Sequence, residues 1–323
     1  AHHKNIKEVI IHTGQHFDKN MSDIFFDEMS IPYPDYNLNI NGMSHGAMTG
    51  QMLEKIEGIL IEEKPDWVLV YGDTNSTLAG ALAAKKLHMK VAHIEAGLRS
   101  YNMHMPEEIN RILTDRISDI LFCPTSQAVK NLEDEGFKNF PVKIEQVGDI
   151  MLDAAIFYSA REKNINLNTP DKFVLCTIHR AENTDNEQRL TSIFSALEEI
   201  AKESFVVLPL HPRTKIKLKQ IKYDFDNSCI QFISPVGYLE MIHLLKNCEM
   251  VITDSGGVQK EAYFFKKQCI TIRDETEWVE LIDAGCNVLA GANTKSFDLF
   301  EDELYGKGDA GKIIVNKILE SNQ

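Results

Sequence analysis

The sequence predicts an α/β protein with two doubly wound domains, each a parallel sheet with helices on both faces. Short, almost continuously apolar runs alternate with longer amphipathic stretches along nearly the whole chain, which is the strand-helix-strand pattern of such folds. Strands that are apolar on both faces suit a sheet that is covered on both sides. The length of 323 residues is also about twice that of one typical domain.

The apolar runs are predicted as strands, and the stretches between them, such as Thr77–Leu87, as helices. In the first half the predicted strands are Glu8–Thr13, Trp67–Tyr71, Lys90–Ile94, Ile120–Cys123 and Val142–Val147. In the second half they are Phe173–Ile178, Phe205–Pro209, Ile230–Ile233, Met250–Thr253 and Cys269–Ile272.

The polar segment Arg161–Lys172 predicts a surface connection between the halves. We expect a Rossmann-like N-terminal domain over 1–150, a Rossmann-like C-terminal domain over 151–304, and a terminal helix in 305–323 that can pack back on the first domain. A doubly wound domain normally opens with a strand whose loop approaches the ligand. Because this chain opens in what reads as the end of a helix, we expect that first strand to be missing from the sequence.

Composition and charge exclude several classes of function. With 43% hydrophobic and 25% charged residues, the chain is typical of a folded globular protein. Its 34 Lys and Arg against 48 Asp and Glu leave a net charge of −14, which repels nucleic-acid backbones and anionic lipids. We therefore expect no nucleic-acid and no membrane partner, and an anionic ligand would need a defined pocket.

The cysteines indicate a reducing compartment. The six of them are scattered without a Cys-x-x-Cys pair, mostly in or beside apolar runs, and we interpret them as buried free thiols. No signal peptide and no apolar stretch of about 20 residues is found, so we expect a cytoplasmic protein. We do not interpret the terminal pair His2-His3 as a metal site, because adjacent terminal histidines are usually exposed to solvent.

Acidic residues follow the predicted strands of the first half, where ligands bind in open α/β sheets. Asp73 follows Trp67–Tyr71 and Glu95 follows Lys90–Ile94. Each has a structural alternative, since Asp73 can cap the following helix and Glu95 can pair with Arg99.

A third acid opens the next predicted helix. In Pro106-Glu107-Glu108-Ile109-Asn110-Arg111, the proline and the acids suit a first helical turn, and Glu107 lies four residues before Arg111. Capping explains much of this segment. Three acids at one sheet edge, Asp73, Glu95 and Glu107, are nevertheless typical of a proton-transfer site.

Anion-binding groups follow the strands of the second half. Ser255, Gly256 and Gly257 come after an apolar strand and open a helix, whose free N–H groups can hold a phosphate, although the spacing is not that of a Walker A loop. His179 and Arg180 follow Phe173–Ile178. Acids from one lobe and anion-binding groups from the other predict an active site in the interdomain cleft that binds a nucleoside diphosphate.

Taken in order, these motifs resemble the non-hydrolysing UDP-N-acetylglucosamine 2-epimerases, with a match from about Glu8 to about Asn287. The residues that carry the resemblance are Thr13-Gly14-Gln15-His16, Gly72-Asp73-Thr74, His93-Ile94-Glu95-Ala96-Gly97-Leu98-Arg99, Pro106-Glu107-Glu108-Ile109-Asn110-Arg111, His179-Arg180-Ala181-Glu182-Asn183, His211-Pro212 and Thr253-Asp254-Ser255-Gly256-Gly257. The resemblance implies a glycosyltransferase-B-like fold, a UDP-sugar substrate, a homodimer, and neither a metal nor a redox cofactor.

The resemblance also implies a mechanism and a set of site residues. UDP leaves C1 as a base removes the C2 proton, a glycal forms, and UDP adds back after protonation on the opposite face. By motif position, the catalytic candidates are Asp73, Glu95, Glu107, Arg111 and His179. The substrate-binding candidates are Arg180, Glu182, Asn183, Ser255, Gly256, Gly257, Glu261 and Arg273. Among them, Arg111 would orient a carboxylate, His179 would contact the diphosphate, and Glu261 would bind the ribose.

The sequence departs from the family at some positions. The basic Gly-x-Arg-Pro loop is absent from this sequence, so we expect it to lack the first-lobe cations that this loop supplies in the family. Asp274-Glu275-Thr276-Glu277-Trp278 replaces a Thr-Glu-Arg-Pro segment. This form, with Gly14-Gln15-His16-Phe17-Asp18, looks more like the branch that acts on UDP-2,3-diacetamido-2,3-dideoxy-glucuronate. Because Phe17-Asp18 differs from the bacterial pattern, we do not carry over the allosteric second substrate site of some members.

Our leading hypothesis is a UDP-N-acetylglucosamine 2-epimerase that forms UDP-N-acetylmannosamine for surface polysaccharides, and the diacetamido-glucuronate enzyme is the alternative. A retaining glycosyltransferase of the same fold would need an acceptor and has less use for three acids. A hydrolysing epimerase would release UDP, and a nucleotide-sugar sensor would bind UDP without exchange of the C2 proton.

Overall fold

A computed structural model describes residues 6–15, 26, 29–161, 167–274, 276, 278–289 and 304–321. Contacts between Cα atoms divide the chain into two compact units, Ala1–Asp153 with Leu304–Gln323, and Ala154–Glu303. Each unit contains parallel sheets flanked by helices. The predicted α/β class with doubly wound sheets is confirmed.

The strands and helices of the described residues alternate along the chain. The strands are β1 (Ile11–His12), β2 (Tyr36–Asn37), β3 (Trp67–Tyr71), β4 (Lys90–Ile94), β5 (Ile120–Cys123), β6 (Lys143–Gln146), β7 (Val174–Thr177), β8 (Val206–Pro209), β9 (Gln231–Ile233), β10 (Met250–Thr253), β11 (Gln268–Thr271) and β12 (Asn287–Leu289). The helices are α1 (His45–Glu63), α2 (Asn75–Lys86), α3 (Pro106–Ile117), α4 (Ser126–Asp134), α5 (Ile150–Ser159), α6 (Ala181–Thr184), α7 (Glu187–Ala201), α8 (Pro212–Gln220), α9 (Tyr238–Asn247), α10 (Gly256–Phe264), α11 (Val279–Asp283) and α12 (Ala310–Glu320).

The first unit has a parallel sheet in the order β3-β4-β5-β6 and a separate parallel pair, β1-β2. Alternate residues of β4 face opposite sides of the sheet. Val91 packs in the apolar cluster that holds the buried residues of α1 and α2, whereas Ala92 and Ile94 pack with Ile314 and Ile318 of α12. The two faces of the sheet are therefore covered by different helices.

Helix α12 is tied to the first unit at its N-terminus as well as by apolar packing. The Asp153 carboxylate accepts hydrogen bonds from the backbone N–H groups of Ala310 (3.2 Å) and Gly311 (2.7 Å). A carboxylate is stabilising there, because the first N–H groups of a helix have no partner within the helix.

The second unit has one parallel sheet in the order β12-β11-β10-β7-β8-β9. Residues of β7 alternate between two clusters, with Val174 and Cys176 on one face and Leu175 on the other. Because β7 is buried on both faces, it has the nearly continuous apolar sequence by which it was predicted.

Most predicted strands are found within one or two residues of their predicted limits, and the exceptions have local causes. The predicted strand Glu8–Thr13 shortens to Ile11–His12, since the N–H of Ile10 donates to the side chain of Asp35 (2.7 Å). Strands β2 and β12 were not predicted, because runs of two or three residues carry too little periodicity.

Five of the six cysteines are buried and Cys229 is exposed, so the expectation of buried thiols is wrong for that residue. All six are free thiols. Within the described part of the chain, no helix has the length and apolar character required to cross a bilayer.

Candidate active site

The tips of β3 and β4 bring two of the predicted acids to one edge of the first unit. Tyr71 and Ile94 are paired in the parallel ladder, and the N–H of Gly72 continues it to the carbonyl of Ile94 (3.0 Å). Gly72 has a φ of +63°, and a Cβ there would lie 3.3 Å from Oε2 of Glu95. Because Gly72 has no side chain, the Glu95 carboxylate can lie beside it. Gly72 directly precedes Asp73.

Glu95 lies on a strained turn. Its φ is +70°, a left-handed conformation that non-glycine residues adopt at a cost of order 1–3 kcal/mol and that is concentrated at functional sites. The alternative pairing with Arg99 is wrong, because Arg99 pairs with Asp115 and Glu135 instead.

Asp73 is held by helix α3 rather than acting as a helix cap. Its Oδ2 accepts from Nη2 (2.7 Å) and Nε (3.0 Å) of Arg111, and its carbonyl oxygen accepts from the Asn110 amide (2.9 Å). The cap of α2 is Thr74, whose side chain accepts from the N–H of Thr77. The structural alternative for Asp73 is therefore wrong.

Arg111 holds a second carboxylate that the sequence did not single out. Its Nη1 donates to Oε2 of Glu108 (2.7 Å), whose side chain is fully buried. Burial raises the pKa of Glu108, but the N–H of Ser100, Arg111 and the N–H of Tyr101 outweigh it and hold that pKa below its usual value. Glu108 is ionised and fixes Arg111 where it can orient Asp73.

Glu107, the acid that the motif nominated, is exposed in the first turn of α3. The structure therefore pairs Asp73 with Arg111, places Glu95 beside the adjacent Gly72, and places Glu107 one turn before Arg111 on the same helix. An exposed acid at a helix N-terminus gains from the helix dipole and is free to meet a ligand.

In the second unit, a buried carboxylate joins the tips of β7 and β10. Asp254 accepts from the backbone N–H groups of His179 (3.1 Å) and Arg180 (3.0 Å) and from the side-chain amide of Asn183 (3.0 Å). Asp254 is part of a motif identified in the sequence, but no role was predicted for it. An acid directly after an apolar strand and before Ser-Gly-Gly was the available signal.

Asn183 is itself fully buried. Its amide donates to Asp254 and also to the carbonyl of Ile272 (3.0 Å), and its oxygen accepts from Nε of Arg189 (2.6 Å). Both amide protons are used within the protein, so Asn183 fixes the strand tips. Its predicted contact with substrate stays a prediction.

Helix α10 begins at this same edge. Ser255 is its N-cap and accepts from the N–H of Val258 (3.4 Å), and Gly256 and Gly257 form its first turn. The N–H groups of a first turn have no acceptor within the helix, and two residues without side chains leave them accessible. An anion can bind there.

The remaining predicted residues of the second unit lie around these tips. Nη1 of Arg180 is 3.6 Å and Nε of the buried Arg273 is 3.9 Å from Oε1 of Glu182. The buried Glu261 is hydrogen-bonded to the Tyr238 hydroxyl, and burial and then the Glu261 charge raise the pKa of Tyr238. Glu261 is thus a carboxylate that already binds one hydroxyl group.

His179 and His211 lie side by side, with ring centroids 5.7 Å apart. Nδ1 of His179 is 3.6 Å from Oδ1 of Asp254. Burial, then the charges of His179 and Arg213, lower the pKa of His211. The motif residues His16, Phe17, Asp18, Glu275 and Glu277 lie outside the described residues.

Comparison with known proteins shows which family this chain resembles. A family model for UDP-N-acetylglucosamine 2-epimerase matches residues 1–319. The chain is 56% identical to the UDP-2,3-diacetamido-2,3-dideoxy-D-glucuronate 2-epimerase of Pseudomonas aeruginosa, over 96% of this chain and 91% of that protein. It is 49% identical to a UDP-N-acetylglucosamine 2-epimerase of Methanocaldococcus jannaschii, again over 96% and 91%.

Solved structures give the same result. The M. jannaschii UDP-GlcNAc 2-epimerase in complex with UDP-GlcNAc and UDP has a TM-score of 0.86 at 44% identity, over 98% of this chain and 92% of that one. The Neisseria meningitidis UDP-GlcNAc 2-epimerase bound to UDP-GlcNAc has a TM-score of 0.85 at 28% identity, over 98% and 93%. This chain therefore belongs to the UDP-N-acetylglucosamine 2-epimerase family.

Proposed function

We propose that this chain inverts C2 of a UDP-linked 2-acetamido sugar by elimination and re-addition of UDP. The observation that carries the proposal is the pair of carboxylates on adjacent strand tips, Asp73 and Glu95, with Arg111 holding the first. Membership of the epimerase family supports it.

The C2 proton of such a sugar is not next to a carbonyl, so its direct removal would leave an unstabilised carbanion. Elimination avoids this. A carboxylate takes the C2 proton, the C–H electron pair forms the C1–C2 double bond, and the C1–O bond breaks so that its electrons leave with UDP. Protonation of C2 on the opposite face, with attack of UDP at C1, completes the inversion.

Two faces of the sugar require two proton-transfer groups, which we assign among Asp73, Glu95 and Glu107. Arg111 orients Asp73. Positioned acid–base groups of this kind typically contribute about 10²- to 10⁴-fold to a rate.

The second unit supplies the groups that we assign to UDP. The first turn of α10, Ser255 to Gly257, would bind phosphate oxygens through N–H and hydroxyl groups, and His179 would contact the departing diphosphate. Glu261 would hydrogen-bond the ribose. Arg180, Glu182, Asn183 and Arg273 complete the proposed binding set. We also propose a cytoplasmic homodimer, on the resemblance and on the free thiols.

Two sugars are candidates. The identity of 56% to the diacetamido-glucuronate enzyme, against 49% to the M. jannaschii UDP-N-acetylglucosamine enzyme, favours UDP-2,3-diacetamido-2,3-dideoxy-glucuronate. The replacement of Thr-Glu-Arg-Pro by a segment that ends in Trp278 favours it too. UDP-N-acetylglucosamine, after which most of the relatives are named, is the second candidate.

Proton NMR in deuterated water tests the proposal with each sugar in turn and no acceptor present. We expect deuterium at C2 and new signals of the manno isomer, with the preferred sugar reacting faster. Release of UDP and free sugar would indicate a hydrolysing enzyme. UDP binding without C2 exchange for either sugar would overturn the proposal, and product formation only with an acceptor would indicate a glycosyltransferase.

A further inference from the structure

Below the tips of β3 and β4 lies a buried group of charged residues that the proposed mechanism does not use. His93 on β4, Asp115 on α3 and Arg99 have fully buried side chains, and Arg99 extends to Glu135, which is 30% exposed. Buried charges are costly unless they are paired and hydrogen-bonded. The burial of these charged side chains therefore needs an explanation other than packing.

The hydrogen bonds fix the protonation state of His93. Its Nε2 is 2.8 Å from the carbonyl oxygen of Gly72, which can only accept, and its Nδ1 is 2.6 Å from Oδ1 of Asp115. Asp115 also accepts from the N–H of Gly97 (3.2 Å) and from Nη1 of Arg99 (2.7 Å). Four donors thus converge on two acceptors, which fits an imidazolium beside a carboxylate.

The charges balance within this group. The imidazolium and the guanidinium face two carboxylates, Asp115 and Glu135, with Arg99 bound to Glu135 through two parallel hydrogen bonds (2.6 and 2.8 Å). Burial lowers the pKa of His93, but the charge and hydrogen bond of Asp115 and the Gly72 carbonyl outweigh it and raise that pKa, as does the Glu95 charge. Cys123, the other titratable group near Asp115, stays neutral because burial raises its pKa.

The same hydrogen bonds hold the two turns that carry the candidate acids. His93 holds the carbonyl of Gly72, directly before Asp73. Asp115 holds the N–H of Gly97, two residues after Glu95. Gly97 has a φ of +79°, and a Cβ there would lie 2.5 Å from the carbonyl oxygen of Ala128. The turn is therefore tightly enclosed, and one ion pair sets the positions of both acids.

We propose that the buried His93–Asp115 ion pair is a positioning device that fixes Asp73 and Glu95 relative to each other for C2 proton transfer. This inference rests on the proposed function. Both side chains are fully buried, so they act through the turns and not by contact with a ligand. Because a displacement of about 1 Å can cost about 100-fold in rate, loss of the pair lowers proton transfer far more than it lowers UDP binding.

The first test needs no substrate. In the wild-type protein labelled with ¹⁵N-histidine, both ring nitrogens of His93 are expected to carry protons at pH 7, where an ordinary histidine is mostly neutral. His93→Gln identifies the signal. A neutral ring at this pH would overturn the proposal.

The second test is kinetic. Asp115→Asn and His93→Gln are each expected to lower kcat for C2 deuterium incorporation by about 10- to 100-fold, with the Kd for UDP changed less than twofold. The matched control is Asp119→Asn. Asp119 lies beside the start of β4, at the other end of this strand from Glu95, where it accepts from the N–H of Val91 (2.7 Å) and pairs with Lys85 (2.9 Å).

The control is expected to lose stability but to keep kcat within about twofold. Equal losses of kcat in Asp115→Asn and Asp119→Asn would show a merely structural role and overturn the positioning proposal while the epimerase assignment stands. If the wild-type protein exchanges no C2 proton, the proposed function fails first, and the positioning role fails with it whatever the charge of His93.

Discussion

The strand tips of the two units are both organised by a buried carboxylate, but by opposite means. In the first unit, carboxylates meet cations: Asp73 and Glu108 meet Arg111, and Asp115 meets His93 and Arg99. In the second unit, Asp254 is held mainly by neutral donors, two backbone N–H groups and an amide.

The difference follows from what each tip would have to hold. A proton-transfer group must keep a defined charge and direction, and a fixed guanidinium provides both. A diphosphate brings its own charge, so its site needs N–H donors, which a buried carboxylate can orient from behind. In the first unit, buried cations therefore hold the carboxylates. In the second unit, a buried carboxylate orients backbone N–H groups and an amide.

Glu95→Gln would break the first-unit side of this comparison most strongly. The amide keeps the size of the side chain but cannot exchange the C2 proton, so kcat is expected to fall by about 10²- to 10⁴-fold. UDP affinity, which we assign to the second unit, is expected to stay within twofold. The measurement is C2 deuterium incorporation by NMR with UDP titration calorimetry, and the control is the exposed Glu133→Gln on α4. Activity equal to that of the control would remove Glu95 from the proton-transfer set.

Arg111→Leu tests the charge pairing itself. Its side chain is 5% exposed and that of Glu108 is fully buried, so the substitution leaves a buried carboxylate without its cation. Such losses typically cost about 3–5 kcal/mol of unfolding free energy. Chemical denaturation measures this, and Lys202→Leu is the control, because its exposed pair with Glu199 is expected to contribute at most about 1 kcal/mol. Similar losses in both variants would contradict a buried pair at Arg111.

The residues changed in these two variants also show which features of the site the sequence could predict and which it could not. The strands were predictable because sheets covered on both faces need continuous apolar runs, and Asp73 and Glu95 were identified because each ends such a run. The residues that hold these acids in place were not predictable. Glu107 and Glu108 are neighbours in one motif, and the sequence does not show which of them lies on the buried face of α3. Likewise His93 reads as a strand residue until the fold brings Asp115 to it from 22 residues away.

Ser255→Ala sharpens the second-unit side. The hydroxyl caps α10 through Val258, and loss of a cap typically costs about 1 kcal/mol. If the same turn binds phosphate, UDP affinity is expected to fall about fivefold, while kcat at saturating sugar falls less. Calorimetry with UDP measures the first and NMR the second. Ser204→Ala, at a serine that follows α7 outside this turn, is the control, and unchanged UDP affinity in Ser255→Ala would exclude the Ser255 hydroxyl as a phosphate ligand.

His211 gives the smallest expected effect, and it concerns pH. Its Nδ1 accepts from the N–H of Arg213 (3.2 Å) at the start of α8, and only a ring with an unprotonated Nδ1 can accept. Burial and the neighbouring His179 and Arg213 lower the pKa of His211, so the unfolded chain takes up a proton before the folded one does. Stability is therefore fully present above the ordinary histidine pKa of about 6.5 and is lost as the pH falls through the lower folded value.

The measurement is the unfolding free energy at pH 7.5 and at pH 5, without UDP. His211→Asn keeps a side-chain acceptor for the N–H of Arg213 but does not titrate in this range, so it is expected to show a weaker decrease toward pH 5 than the wild type. Because the ring is exposed, water screens the charge and the difference is small. A steeper decrease in the variant would mean that protonated His211 stabilises the fold, so that the charge of Asp254 would outweigh burial and the two neighbouring cations.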